Sequence, residues 1–137
     1  MVNTDTIRKR IRLLQEYLSY LRELQLYSPE EFISSHKHYG LAERYLQLAI
    51  EVTIDLGNHI IAELNLGYPE VSHDIPEIFA TKGYIDANFR QTWKKMIGFR
   101  NLLVHDYADI DRAIVYDVLQ NRLSDLERLR EVFAQFL

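Results

Sequence analysis

The sequence of 137 residues contains no cysteine, only three prolines and only five glycines. Without cysteine there is no disulfide framework and no thiolate site for zinc or an iron–sulfur cluster, and the chain fits a reducing compartment. There is no apolar run of about 18 residues, so no membrane span is expected. The N-terminus begins as a charged helix rather than a signal peptide, which points to the cytoplasm. Basic residues are outnumbered, 16 against 20 acidic, for a formal net charge of -4. That balance argues against a generic nucleic-acid coat, whose surface would be broadly basic. What is present, 47% hydrophobic and 26% charged residues, is the make-up of one folded domain. A chain of this size buries roughly two-thirds of its unfolded surface and sustains a core without staples. No repeat, low-complexity tract or linker divides it, so residues 1–137 read as a single domain.

Between the sparse breakers, apolar residues recur every three or four positions, the helical period. Ile7, Ile11, Leu14, Leu18 and Leu21, with Gln25 at the end, line one face of a first helix over 5–27, with Arg8, Lys9, Arg12 and Arg22 outside it. Ser28-Pro29-Glu30-Glu31 joins an N-cap, a proline at the first helical position and a glutamate at the third, which starts a short helix. A long second helix spans 35–66, ended by Gly67 with Pro69 beyond. Asp74-Ile75-Pro76-Glu77 repeats the capping pattern for a short helix closed by Gly83. A fourth helix begins near Asp86 or Asn88 and continues to at least Val104. A fifth runs over 111–136, with Leu119, Leu123, Leu126, Leu129, Val132, Phe133 and Phe136 inward. No strand-like alternation of useful length occurs, so the expected fold is all-α, a four- to five-helix up-and-down bundle.

Several chemistries are excluded at once. A di-iron bundle needs two Glu-x-x-His pairs on facing helices, and the single pair, Glu70 and His73, falls in the loop around Pro69. His36 and His38 near a helix start are ordinary. Neither a phosphate-cradling glycine loop nor a Gly-x-Ser-x-Gly elbow is present. No metal site and no cofactor are expected.

Two groupings remain. In the second helix, Glu51, Asp55, Asn58 and His59 form a polar stripe among apolar neighbours, expected to be buried in the bundle or in an interface. It serves either as a hydrogen-bond network that fixes packing or as support for residues of a neighbouring helix, with Glu51 and Asp55 the supporting groups. The fourth helix from Ala87 to His105 has no acidic residue and carries Arg90, Lys94, Lys95 and Arg100, either a solvated cationic face or an RNA-binding strip. It ends in Arg100-Asn101-Leu102-Leu103-Val104-His105-Asp106-Tyr107. Arg100 and Tyr107 are seven apart, Asn101 and His105 four apart, so the four are expected to converge on one edge. Such a cluster suits metal-free cleavage of an RNA phosphodiester. Arg offers a fork of donors to phosphate and His exchanges protons near neutrality. Asn holds either partner, and Tyr bonds or stacks.

Arg100, four intervening residues, His105, one residue and Tyr107 resemble the Arg-x4-His-x-Tyr motif of HEPN-domain ribonucleases, with Asn101 in its usual place. Over nearly its whole length the chain is similar to the HepT toxins, including Glu43-Arg44-Tyr45-Leu46-Gln47-Leu48-Ala49-Ile50-Glu51 and Asp55-Leu56-Gly57-Asn58-His59 in the second helix. The resemblance implies a homodimer with two motif copies facing across a cleft, and metal-independent RNA cleavage with Arg100 and His105 catalytic. It implies a type VII toxin–antitoxin system, whose nucleotidyltransferase antitoxin of the MntA kind silences the toxin by adding AMP to the motif tyrosine, here Tyr107. Two other readings stay open: a non-catalytic helical subunit that docks a nucleotidyltransferase, and a dimerisation bundle whose stripe serves packing alone.

Overall fold

The computed structural model describes residues 3–105 and 110–137; Asp106 and Tyr107 of the motif lie outside the described residues. Among the described residues the chain forms helices only: α1 (Thr4–Leu24), α2 (Pro29–Ser34), α3 (His36–Leu64), α4 (Asp74–Thr81), α5 (Ala87–His105), α6 (Arg112–Asn121) and α7 (Leu123–Ala134). The expected all-α bundle is what is found. Its rods are α1, α3, α5 and the α6–α7 pair, with α2 and α4 as short braces.

Local chemistry accounts for most boundaries. Ser28 and Glu31 close the expected capping box: the Glu31 amide donates to Ser28 Oγ at 3.2 Å and the Ser28 amide to Glu31 Oε1 at 3.0 Å. Two stops differ from expectation. α3 ends at Asn65, in the left-handed conformation with φ 54°, two residues before Gly67; asparagine tolerates that geometry and closes the helix first. The C-terminal helix is broken at Arg122 (φ -120°, ψ 1°), giving α6 and α7 where one helix was expected. Leu119, Leu123 and Leu126 keep the apolar period across this break, so the sequence pattern does not reveal it. At α4, Asp74 does not cap the helix. Its Oδ2 accepts from the amides of Glu70 and Val71 at 2.9 and 3.2 Å and ties down the preceding loop.

α1 and α3 form an antiparallel pair, in register at Arg10 with Asp55 and at Tyr20 with Tyr45. α3 and α5 are also antiparallel. A Cβ on Gly57 would lie 2.5 Å from Ile75 Cγ2 and 3.4 Å from the Trp93 ring, so only glycine lets α4 and α5 close so tightly on α3. Trp93 is fully buried, and its indole N–H donates to Thr53 Oγ1 at 3.3 Å, while that hydroxyl donates to the Ile50 carbonyl at 2.7 Å. Phe79 and Phe133 meet Trp93 edge-on at centroid distances of 5.2 and 5.7 Å. This aromatic knot holds the N-terminal half of α5. The C-terminal half, which carries Arg100 to His105, is placed by α3. Among the described residues no helix is long and apolar enough to cross a membrane.

Candidate active site at the C-terminal half of the fifth helix

α5 begins under Asp86, whose Oδ1 accepts from the Phe89 amide at 2.7 Å; that bond, aided by Arg128, holds the Asp86 carboxyl below its ordinary range. The helix then presents two distinct faces. Phe89, Trp93, Met96, Ile97 and Leu103 are buried. Arg100 sits among them in azimuth, three residues after Ile97 and three before Leu103. His105 follows five residues later, about 140° around the helix at 100° per residue. Arg100 therefore emerges toward α3, while Asn101 and His105 lie on a different side, Asn101 half-buried and His105 exposed. Of the four motif residues expected on one edge, the three that are described do not share one side of α5 within one chain. Of the two pairs, Asn101 and His105 share a side of α5, and the partner of Arg100 at a spacing of seven, Tyr107, lies outside the described residues.

Arg100 opens into a cavity of about 480 Å³ lined also by Arg10, Leu13, Tyr17, Leu48, Glu51 and Asp55, with Ser72 at its edge. Here the polar stripe of α3 and the motif arginine meet. The stripe is not inside the bundle: Asp55 and Asn58 are exposed, Glu51 and His59 half-buried. The core side of α3 is made by Leu46, Ile50, Thr53 and Gly57, and the stripe lies away from it. Neither carboxylate bonds to Arg100 or His105. Glu51 accepts from Gln47 Nε2 at 3.3 and 3.4 Å, and Asp55 Oδ2 accepts from Arg10 Nη1 at 3.0 Å. Arg100 makes no ion pair among the described residues, and its Nε is buried without a partner.

The other cations of α5 are placed elsewhere. Lys94 Nζ donates to Glu77 Oε1 at 2.6 Å and Arg90 Nη1 lies 3.6 Å from Glu77 Oε2, so α4 supplies a counter-charge that the acid-free run of α5 lacks. The Lys94 hydrogen bond is the main reason the Glu77 carboxyl lies below its ordinary range. Lys95 lines a separate cavity of about 160 Å³ with Leu46, Phe99 and Arg122. None of these three lines the cavity of Arg100. His73 stands beside α5, its Nε2 3.8 Å from where a Cβ on Gly98 would be. His38 is stacked on Tyr27 at 3.7 Å, with Nδ1 2.9 Å from the Glu31 carbonyl oxygen. Arg10 was not legible as a site residue. Its partner is 45 positions away, and only the α1–α3 register brings them together.

What this wall offers chemically is a guanidinium with no ion pair among the described residues, facing a cavity, with an exposed histidine at the end of the same helix. The family model described as "Ribonuclease HepT-like" matches residues 9–133. An mRNA nuclease HepT from Shewanella oneidensis is 38% identical over 87 residues, 64% of this chain and 65% of that protein, so the chain matches just under two-thirds of its length. A tRNA nuclease HepT from Aphanizomenon flos-aquae is 32% identical over 113 residues, 80% of this chain and 75% of that one. Among solved structures, a tri-AMPylated HEPN toxin of Shewanella oneidensis in complex with MNT antitoxin is similar with a TM-score of 0.88 at 28% identity, covering 96% of this chain and 98% of that one.

Proposed function

Because the chain belongs to the ribonuclease HepT-like family, we propose that it is the toxin of a type VII toxin–antitoxin pair, a metal-independent RNA endonuclease acting as a homodimer of single-domain subunits in the cytoplasm. The observation that carries this reading is Arg100, without an ion pair among the described residues and facing a cavity, on the helix that ends at His105. Arg100 binds the scissile phosphate and meets the charge that builds on it in the transition state. His105 takes the proton of the 2′-hydroxyl as its oxygen attacks phosphorus. The P–O5′ bond breaks, and the leaving 5′-oxygen takes the proton back from the same imidazolium, leaving a 2′,3′-cyclic phosphate. The separation of Arg100 and His105 within one chain supports the dimer, because a twofold axis brings a second copy of each to a shared cleft. Asn101 holds phosphate or imidazole, and Arg90, Lys94 and Lys95 give the strand a cationic approach.

The proposed partner is an MntA-like nucleotidyltransferase that adds AMP to Tyr107. Anionic nucleotides there would fill the cleft and repel RNA phosphate. The relatives named as HepT nucleases and the AMPylated toxin complex support this reading. The test is incubation of purified protein with RNA in EDTA. Cyclic-phosphate ends that disappear in His105→Ala are expected. Intact RNA with retained nucleotidyltransferase binding would leave a docking subunit instead. After co-expression with the nucleotidyltransferase, mass spectrometry should place added AMP on Tyr107.

A further inference from the structure

We propose that Arg10 forms a second phosphate subsite beside Arg100, and that Asp55 is the residue that positions it. The inference rests on the reading of the cavity as an RNA site and names the group that takes the phosphate next to the scissile one. Arg10 and Arg100 come from helices far apart in sequence and line the same cavity of about 480 Å³. A guanidinium has five N–H donors in a fixed fork. Asp55 engages one of them, at Nη1, 3.0 Å away. The remaining edge of Arg10 is left for another acceptor, and its side chain is 41% exposed, so a polyanion can reach it.

The charges on the wall explain why Arg10 is needed. Its charged groups at neutral pH, among the described residues, are the guanidinium groups of Arg10 and Arg100 and the carboxylates of Glu51 and Asp55, together neutral, with the Tyr17 phenol beside them uncharged. Without Arg10 the wall would carry one negative charge and oppose a phosphate approaching Arg100. With Arg10 in place, both carboxylates are occupied, Glu51 by Gln47 and Asp55 by Arg10. Among the described residues Arg100 is then left without a competing anion. Asp55 therefore acts through Arg10: it fixes where the second cation stands rather than touching the scissile phosphate.

The experiment measures the affinity of an oligoribonucleotide as a function of salt, in a His105→Ala background so that the RNA stays intact. Arg10→Ala should weaken binding about ten- to hundredfold, the worth of a charged hydrogen bond, and lower the log–log salt slope by about 0.7, the share of one single-strand phosphate. Arg10→Lys should keep the slope and recover part of the affinity, since charge survives but the fork does not. Asp55→Ala separates positioning from simple charge. Removing a carboxylate would strengthen anion binding if Asp55 acted only by repulsion, whereas loss of its hold on Arg10 weakens it. An unchanged slope and affinity in Arg10→Ala, or no RNA binding at all, overturns the subsite, and tighter binding by Asp55→Ala overturns the positioning role. Absence of cleavage by the unmutated protein with a normal Arg10 effect on binding would instead remove the nuclease reading and leave the subsite standing.

Discussion

Arg100 and His105 have opposite surroundings, and their variants should behave differently. Arg100 has a stem among buried neighbours and a head in a cavity; His105 is exposed at the end of α5. On the proposed mechanism, Arg100→Ala lowers kcat by about 10²–10³-fold, as loss of one transition-state donor does. His105→Ala lowers it by about 10²–10⁴-fold, the range for a general acid–base. Thermal melts should leave His105→Ala at the stability of the unmutated chain. A residue outside the motif gives a pH prediction. Burial pushes the Glu43 carboxyl up, with Arg112 partly opposing it. A raised carboxyl is destabilising when ionised, so the cost is present at neutral pH and absent once the group is protonated in both states. Glu43→Gln should therefore raise the melting temperature at pH 7. That gain should fade as the pH falls toward about 4, the ordinary range of a glutamate, and be gone below it. An equal gain at pH 3 would assign the effect to packing.

At the scale of elements, the sequence made the helices legible because periodicity and caps are local. The capping box at Ser28, the glycine stop after α4 and the inward face of α7 all follow from residues within a few positions of each other. What stayed hidden depends on neighbours. Arg90 and Lys94 read as free cations until α4 supplies Glu77. The stripe of Glu51 and Asp55 reads as buried in the bundle or in an interface because its sequence neighbours are apolar; within the single chain those neighbours cover the other sides of α3 and the stripe lies outside the core. The break at Arg122 leaves no trace in the apolar period. Gly57 is the clearest case of an element-scale constraint, because two helices close on its missing side chain. Gly57→Ala should cost about 1–3 kcal/mol, the usual penalty of overpacking, by forcing Ile75 and Trp93 apart. Denaturant melts measure the cost, and a near-UV signal from Trp93 should weaken with it. A variant as stable as the parent would show that Ile75 yields freely.

At the scale of the whole molecule, the net charge of -4 describes the bulk surface and says little about a cleft in which two arginines face two carboxylates. On the proposed mechanism, Arg100 and His105, about 140° apart on one helix, must act together on one phosphodiester. A twofold dimer would allow it, since the shared cleft then holds two copies of both residues. This makes a prediction that no single-chain mechanism shares. Arg100→Ala and His105→Ala proteins, each inactive alone, should regain activity when mixed under conditions that exchange subunits. The mixed dimer still carries one arginine and one histidine in its cleft. At equal concentrations about half of randomly exchanged dimers are mixed, which sets the ceiling on recovery. Cleavage is assayed as release of cyclic-phosphate ends from a labelled oligoribonucleotide, with sedimentation confirming that both variants remain dimers. If exchange is demonstrated and activity stays absent, each cleft needs both copies of one residue, or the residues act within separate chains. The double variant Arg100→Ala/His105→Ala distinguishes these. Mixed with unmutated protein, it lowers activity in proportion to intact subunits if chains act alone, and more steeply if the cleft is shared.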